Sequence, residues 1–303
     1  MTKVLAILLL FFSNLSYAQL TVLKHPNTIY GLSVSRDGTR IVAAGKDSAV
    51  YVYTTKGSQL GKFEGFRHSI ADVAFGLDSL EVVAVDYSGF GYRINLESRI
   101  IDEKKVHTAS ALSVNVLYDQ NLTITTGRDQ IVVVWKDGWN QNVKLFGHEG
   151  HTRQTMYHDS LGLISIADDK KIKIWDLAGA EKQSIDTEHP EPIWQIAMND
   201  KNQFITGDRG GNIFLWTDDW VLKSQWKGHE GPISGIVAMD DYIITSGFDS
   251  KIKIWKGDKV IKIFKAHDKY CSGIALAENN TLLISSGGDG KVIIWSIHNL
   301  MND

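Results

Sequence analysis

The chain has 303 residues, of which 43% are apolar, 22% charged and 10% aromatic, a balance typical of folded globular proteins that excludes disorder and fibrous repeats. The formal charge of −3 excludes a general positive field that would recruit nucleic acid or anionic lipid. The single cysteine, Cys271, excludes an intrachain disulfide, so stability has to come from a hydrophobic core.

Residues 1–18 have the layout of a secretory signal peptide. A lysine near the start is followed by an apolar run over 4–12, which is too short to cross a bilayer. Ser16 and Ala18 occupy the small-residue positions of a cleavage site, so we expect the mature chain to begin at Gln19. The alternative is an N-terminal core strand. With no later apolar run near twenty residues, we expect a secreted or periplasmic protein without membrane insertion.

A stretch that ends in a large side chain recurs along the chain at intervals of 39 to 41 residues. The five clear copies, such as GFDSKIKIW, end at Trp135, Trp175, Trp216, Trp255 and Trp295. Two degenerate copies precede them and end at Tyr53 and Ile94. Seven copies of about forty residues therefore fill nearly the whole chain after the leader.

A second series of positions keeps the same period. Its members are His25, Phe66, His107, His148, His189, His229 and His267. Phe66 takes the histidine position of the second copy, so that His68 is out of register. Alternating lysine and isoleucine over 251–254 is the pattern of a half-exposed strand. No segment after the leader has a convincing helical period, and the predicted fold class is all-β.

These features resemble the WD-repeat β-propeller family over residues 19–303. The resemblance rests on the period, on Gly-His pairs such as Gly147-His148, and on the strand-ending tryptophans, although the Trp-Asp dipeptide itself stands in its expected place once, at Trp175-Asp176. It implies seven radial blades of four antiparallel strands. The last copy lacks an outer strand, and Gln19 to Lys24 can supply it and close the ring.

Histidine, hydroxyl and carboxylate side chains recur together and could suggest a Ser-His-Asp hydrolase. Ten residues before each terminal tryptophan stand Thr125, Ser165, Thr206, Thr245 and Ser285, and six before it stand Asp129, Asp169, Asp249 and Asp289. By the resemblance, they form a structural tetrad with the histidine and tryptophan of each blade. An enzyme needs one nucleophile and the chain offers the same set four times, so we predict scaffold and no catalytic residue.

Three copies depart from this set. In the fifth, Gly210 takes the aspartate position, so we expect His189 to contact water or a neighbour instead. In the second, Phe66, Ala84, Ser88 and Ile94 replace all four members, which we interpret as exchange of the whole network for apolar packing. The first keeps His25 and Asp47 but has Ala43 and Tyr53.

Two further features carry little functional weight. His148-Glu149-Gly150-His151 resembles half a zinc site, but the spacing is wrong for a metalloprotease helix and His148 belongs to the tetrad series. Cys271 lies at an inward apolar position, which favours a buried, inert thiol. We expect no metal site and no cofactor.

By the resemblance, three positions in each copy project on the face that carries the loops opening each blade: three and five residues after the histidine position, and seven before the tryptophan position. The candidate binding residues among them are Tyr30, Lys46, Tyr87, Arg128, His151, Arg153, Asp168, Trp194, Arg209, Phe248 and Tyr270. Arginine and aromatic residues dominate protein-interface hot spots. The alternative is that these side chains merely pack around the central channel.

We therefore expect a non-enzymatic scaffold that binds a protein or peptide through this loop face, as a monomer or a subunit of a complex. Four cations against Asp168 favour an acidic partner. One alternative is a propeller enzyme acting on a sugar or lactone, which the single acid disfavours. Another is a structural subunit of an envelope complex, held through the blade sides near Trp139 and Trp220.

Overall fold

A computed structural model describes residues 18–78 and 80–302 of the protein. The predicted leader lies outside these residues, apart from Ala18. Within the described ranges, the strands assemble into seven sheets of four antiparallel strands each, which confirms the predicted seven-bladed propeller.

In blades 1 to 6 the strands run in chain order from the central axis outward. Blade 1 contains β2 (Ile29–Val34), β3 (Arg40–Gly45), β4 (Val50–Thr54) and β5 (Gln59–Phe63). Blade 2 contains β6 (Ile70–Phe75), β7 (Glu81–Asp86), β8 (Phe90–Asn95) and β9 (Ile101–Lys105). Blade 3 contains β10 (Ala111–Leu117), β11 (Leu122–Gly127), β12 (Val132–Lys136) and β13 (Gln141–Leu145), with a 3₁₀ segment at Asp137–Trp139.

The remaining blades repeat this plan. Blade 4 contains β14 (Thr152–His158), β15 (Gly162–Ala167), β16 (Lys171–Trp175) and β17 (Glu181–Asp186). Blade 5 contains β18 (Ile193–Met198), β19 (Phe204–Asp208), β20 (Asn212–Trp216) and β21 (Leu222–Lys227). Blade 6 contains β22 (Ile233–Met239), β23 (Tyr242–Gly247), β24 (Lys251–Lys256) and β25 (Lys259–Lys265). Blade 7 contains β26 (Cys271–Ala277), β27 (Leu282–Gly287) and β28 (Lys291–Ser296), and its fourth strand is β1 (Gln19–Lys24).

The ring closes through the N-terminal strand, as predicted. β1 lies antiparallel to β28, with Leu23 opposite Val292 and Gln19 opposite Trp295. Leu23 is buried against Ile294 in the core between blades 7 and 1. The first and last parts of the chain therefore stabilise each other, because this pairing covers the edge that β28 would otherwise expose.

The hydrophobic core lies between blades. Between blades 4 and 5, for example, Ile166 and Ile174 pack against Ile196, Phe204 and Trp216. Each strand of a blade alternates its side chains between the two flanking interfaces, so middle strands are apolar on both faces. This explains the fully buried pattern of β11, β15 and β27.

One expectation about secondary structure is wrong. The chain ends in a six-residue helix, α1 (Ile297–Asn302), although the sequence after the leader shows no helical period. Ile297 and Leu300 are buried against the core between blades 6 and 7, so tertiary packing rather than periodicity fixes this turn and a half. In the described part of the chain, no helix is both long and apolar enough to span a bilayer.

Candidate functional site

The recurring histidines, hydroxyls and carboxylates form buried hydrogen-bonded chains inside blades 3 to 7. In blade 3, the Trp135 indole N–H donates to Thr125 Oγ1 (2.9 Å), which lies 2.9 Å from His107 Nε2. His107 Nδ1 lies 2.8 Å from the Asp129 carboxylate. Because an ionised carboxylate only accepts, we assign the imidazole proton to Nδ1, and the hydroxyl then donates to Nε2. Blades 4, 6 and 7 repeat this chain with matching distances.

The electrostatics of these chains suit a scaffold. Burial alone would raise the pKa of the five tetrad carboxyls, but hydrogen bonds from histidine and from nearby side chains or backbone N–H groups outweigh burial and hold it below the usual range. Burial lowers the pKa of His189 and His229, which keeps both imidazoles neutral. The hydroxyls have no exposed surface, so a substrate would have no access to them.

The expectation for blade 5 is wrong. His189 does not turn to water or a neighbouring blade, because its Nδ1 lies 3.2 Å from Asp208, two residues before Gly210. Asp208 is fully buried and also accepts from the backbone N–H (2.8 Å) and side-chain amide of Asn212. Blades 1, 3, 4, 6 and 7 have glycine or alanine at this position, and a Cβ on Gly127, for instance, would lie 2.7 Å from His107. The signal in the sequence is Asp208 itself, which lies eight residues before Trp216 in the copy where Gly210 replaces the tetrad aspartate.

Blade 2 uses the same shift, so our interpretation of a wholly apolar replacement is also wrong. Asp86 stands two residues before Ser88, is fully buried, and accepts from Tyr92 Oη at 2.7 Å and from the backbone N–H groups of Ser88 and Phe90. Phe66 packs edge-on against the Tyr92 ring in place of a histidine. A tyrosine–aspartate pair therefore replaces the tetrad.

Blade 1 uses two tyrosines. Tyr53 Oη donates to His25 Nε2 at 2.9 Å, and His25 Nδ1 faces the Gly290 carbonyl of blade 7. The aspartate of this copy, Asp47, accepts from Tyr51 at 2.7 Å rather than from the histidine. His25 thus ties the blade to the closing one.

A β-bulge at the start of every inner strand creates the loop face. In blade 5, Ile193 pairs with Asp208 and Gln195 with Gly207, which leaves Trp194 between them without a partner in the ladder. The residue at this position in each blade is Tyr30, Ala71, Leu112, Arg153, Trp194, Ser234 or Ser272. Bulges re-aim side chains. These are the predicted loop-face positions five residues after the histidine position. Five of the seven residues line one axial cavity, and a sixth, Trp194, contacts Phe248 of the next blade.

The aromatic candidates form an arc of touching rings across blades 5 to 7 and a second pair across blades 1 and 2. Trp194 meets Phe248 edge-on at 5.9 Å, and Phe248 stacks on Tyr270 at 4.7 Å. Tyr30 meets Tyr87 edge-on at 5.6 Å. Phe248 keeps 40% of its surface exposed, so the arc offers apolar area to a ligand. The structure also adds a residue that the analysis set aside as out of register, since His68 packs against Tyr87.

The charged candidates cluster at blade 4. Arg153 donates twice to Asp168, at 2.6 Å from both Nε and Nη2, and its guanidinium lies 4.7 Å from the centre of the Trp194 ring. His151 Nδ1 lies 3.1 Å from the same carboxylate. The bidentate pair fixes both side chains, so Arg153 links the charged sector to the aromatic arc.

Ion pairs redistribute the positive charge expected on this face. Arg153 is neutralised by Asp168, and exposed Arg209 donates to Glu191 at 2.7 Å, a residue the sequence analysis did not select. Lys46 and Arg128 are exposed, and in the described ranges neither takes part in an ion pair. Positive charge is therefore concentrated on blades 1 and 3.

The axial cavity has a volume of about 330 Å³ and opens between these groups. Its wall carries Ser33, Asn115, Gln154 and Gln195, with one carboxylate, Asp72 of β6. Burial raises the pKa of Asp72 to about 6, against the lowering effect of hydrogen bonds from Val114, Val73 and Ser113. Asp72 is not among the predicted site residues, although it lies six residues after Phe66, directly after one of the positions predicted to face the partner.

Other singled-out residues lie away from this face or are already engaged. His148 is held in its tetrad, and the described residues contain no group of three or more side chains suited to a metal. Cys271 is fully buried, and burial raises the pKa of its thiol to about 12. Trp139 and Trp220 are buried too, with Trp220 stacked on Phe204 at 4.1 Å. They brace the blades from within, so neither offers an exposed contact to an envelope complex.

Comparison with known proteins agrees with this geometry. The family model described as WD domain, G-beta repeat matches residues 18–54, 220–256 and 258–296. The crystal structure of the WD40 β-propeller domain of Doa1 superposes with a TM-score of 0.81 and 18% identity, covering 92% of this chain and 96% of that one. At that identity the likeness concerns the fold alone.

Among curated proteins, human pre-mRNA-processing factor 17 is 26% identical over 58% of this chain, and human apoptotic protease-activating factor 1 is 22% identical over 91%. The ubiquitin fusion degradation protein 3 homolog of Caenorhabditis elegans is 23% identical over 57%. The chain spans 33%, 22% and 22% of these relatives' own lengths, so the likeness is to one part of each. The protein is thus a seven-bladed propeller in which three segments are recognised as WD40 repeats.

Proposed function

We propose that this propeller is a non-enzymatic scaffold that binds a protein or peptide segment across its loop face. The observation that carries the proposal is the set of bulges, which place six side chains of varied chemistry at one cavity mouth while the blade interiors keep nearly the same network. Similarity to proteins built around the same repeats supports it.

The chemistry of the face favours a mixed partner segment. The arc of Trp194, Phe248 and Tyr270 suits an apolar or aromatic side chain, since such rings contribute large contact area at little entropic cost. Lys46 of blade 1 and Arg128 of blade 3 favour carboxylates elsewhere in the same partner segment. An acidic segment with an apolar anchor fits both.

Enzymatic action on a sugar or lactone has less support. Asp168 accepts two hydrogen bonds from Arg153, one on each carboxylate oxygen, which fix it as a structural group. Asp72 lies apart in the cavity wall, bonded to backbone N–H groups. Neither arrangement is a pair of free carboxylates flanking a scissile bond.

We also propose that the protein is exported and cleaved before Gln19. Cleavage there would leave β1 whole, because the closing strand begins at that residue. N-terminal sequencing of protein from its native cells tests this, and a mature chain that keeps residues 1–18 would contradict it.

Capture of the natural partner by tagged protein tests the binding face. We expect Arg153→Ala/Trp194→Ala to lower partner recovery at least tenfold, because both side chains lie at the cavity mouth. The matched control is Lys201→Ala/Asp241→Ala, which removes an exposed ion pair from turns at the opposite end of the blades. Equal recovery by wild type and the loop-face variant, with circular dichroism unchanged, would refute the proposed surface.

A further inference from the structure

Asp72 occupies a position that six other blades fill without a charge. The residues directly after each bulge are Gly31, Asp72, Ser113, Gln154, Gln195, Gly235 and Gly273. Asp72 Oδ2 accepts from the Val114 backbone N–H of the next blade at 3.0 Å. Gln154 makes the same bond with a neutral amide, since its Oε1 accepts from Ile196 N–H at 2.9 Å. The scaffold therefore does not require a negative charge here.

That charge is also costly to the folded state. The carboxylate is largely buried, and its raised pKa shows that the protein stabilises the neutral form relative to water. The backbone N–H groups of Val73 and Val114 and the Ser113 side chain occupy part of its accepting capacity, and an ionised carboxylate has about four lone-pair sites. Since Asp72 lines the cavity, its remaining accepting capacity is available to a ligand there. A costly, perturbed group in a cavity is typical of functional sites.

The cavity provides no cation of its own for Asp72. Of the residues that line it, Asp72 and Arg153 are the charged ones, and Arg153 is already neutralised by Asp168. Tyr87 also faces Asp72, but its pKa is raised to about 12, chiefly by burial, so it stays neutral. A cavity of about 330 Å³ is large enough for one long side chain and opens at the loop face.

We propose that the axial cavity accepts a cationic side chain of the bound partner, a protonated amine or guanidinium, which pairs with the Asp72 carboxylate. This inference rests on the proposed binding at the loop face. The partner segment would then carry one basic side chain in the cavity and carboxylates near Lys46 and Arg128. Insertion of the cation would stabilise the ionised form of Asp72 and offset the cost of burying it.

A titration with side-chain mimics tests the cavity without the partner. The probes are n-butylammonium and n-propylguanidinium, with n-butanol as the neutral control, added to ¹⁵N-labelled mature protein and followed by NMR. We expect shifts confined to the cavity wall, and a dissociation constant at least tenfold higher in Asp72→Asn. Asp241→Asn, an exposed carboxylate at the opposite end, is the matched control and should bind as wild type does.

The pH dependence is an independent readout in the wild-type protein. With a pKa near 6, about a tenth of Asp72 is ionised at pH 5 and nearly all at pH 7.5, so binding should weaken about tenfold at the lower pH. His151 at the rim contacts Asp168, so His151→Gln is the control variant: it should leave the slope unchanged if Asp72 carries it.

Equal shifts by n-butanol, equal affinity in Asp72→Asn, or a flat pH profile would overturn the inference. These outcomes are separable from failure of the proposed function. Loss of partner capture in Arg153→Ala/Trp194→Ala without cation binding leaves the loop face supported and refutes the cavity. If the cations bind but Arg153→Ala/Trp194→Ala captures the partner as well as wild type does, the cavity site is supported and the proposed loop-face surface is refuted. The tighter of the two cationic probes identifies lysine or arginine as the inserted residue.

Discussion

Removing Asp208 tests whether the shifted carboxylate of blade 5 stabilises the blade as the usual one does elsewhere. In Asp208→Gly, the buried Nδ1–H of His189 loses its acceptor, and Asn212 loses the group that holds its backbone N–H. A buried hydrogen bond to a charged group is worth about 1.5–3 kcal/mol. We therefore expect the free energy of unfolding to fall by about 2–3 kcal/mol.

The second variant moves the carboxylate instead of deleting it. Asp208→Gly/Gly210→Asp recreates the glycine-x-aspartate order found in blade 3 at Gly127 and Asp129. A Cβ on Gly210 would lie 3.1 Å from the Asn212 amide and 3.3 Å from Asp208 Oδ1, and the second contact vanishes with the first substitution. We expect the double variant to recover most of the lost stability, whereas Gly210→Asp alone places two carboxylates together and destabilises the blade.

Urea unfolding followed by tryptophan fluorescence measures all three variants, with stability compared through the midpoints at a common slope. The reasoning fails if Asp208→Gly costs less than about 0.5 kcal/mol, the range of ordinary surface substitutions. It fails equally if the double variant is no more stable than Asp208→Gly, because the carboxylate would then not act through His189.

Three further outcomes follow from burial and hydrogen bonding. Asp72→Asn should raise the free energy of unfolding by about 1–2 kcal/mol at pH 7.5. The Asp72 carboxyl has a pKa of about 6 in the folded protein and 3.8 in the unfolded chain, so its ionisation at higher pH favours the unfolded chain. Urea titrations should show the gain vanish below pH 4, where the carboxyl is protonated in both states. Leu23→Ala in the closing strand should cost about 2–3 kcal/mol, whereas exposed Leu20→Ala in the same strand should change the urea midpoint little. Cys271 should stay unreactive toward a thiol reagent at pH 8 until urea unfolds the protein, and rapid labelling of the native form would contradict its burial.

The architecture could be predicted from the sequence because its strongest determinants repeat. Tryptophans and histidines at a forty-residue period fix the number of blades, and the unpaired β28 requires a strand that only Gln19–Lys24 was placed to supply. The roles of Asp86 and Asp208 were not predicted because the tetrad aspartate was sought at one position only. In the structure the carboxylate also reaches its partner from the position two residues earlier on the same turn. A hydrogen bond constrains where the oxygen lies and leaves the residue that carries it free to change.

The candidate site was harder to predict because it depends on contacts between side chains that are far apart in the sequence. Spacing placed Arg153 and Trp194 on one face, but their cation–π contact joins blade 4 to blade 5, and the Arg153–Asp168 pair joins two strands of blade 4. The expected formal charge of the face changed for the same reason, since Glu191 reaches Arg209 from an adjoining loop. Such pairings depend on distances that a one-dimensional pattern does not contain.

The contrast between repeated and unrepeated positions explains how one scaffold can be specific. The buried networks keep nearly the same chemistry in five blades, and two others restore it with tyrosines, so these positions hold the ring together and carry no information about a ligand. The bulged residues and those after them differ from blade to blade and meet at the axis. Since a sevenfold ring presents equivalent positions to the same cavity, any specificity has to come from where those positions differ. Asp72 is the strongest of these differences, because among the residues directly after the bulges it alone carries a charge, where neutral Gln154 makes the same hydrogen bond.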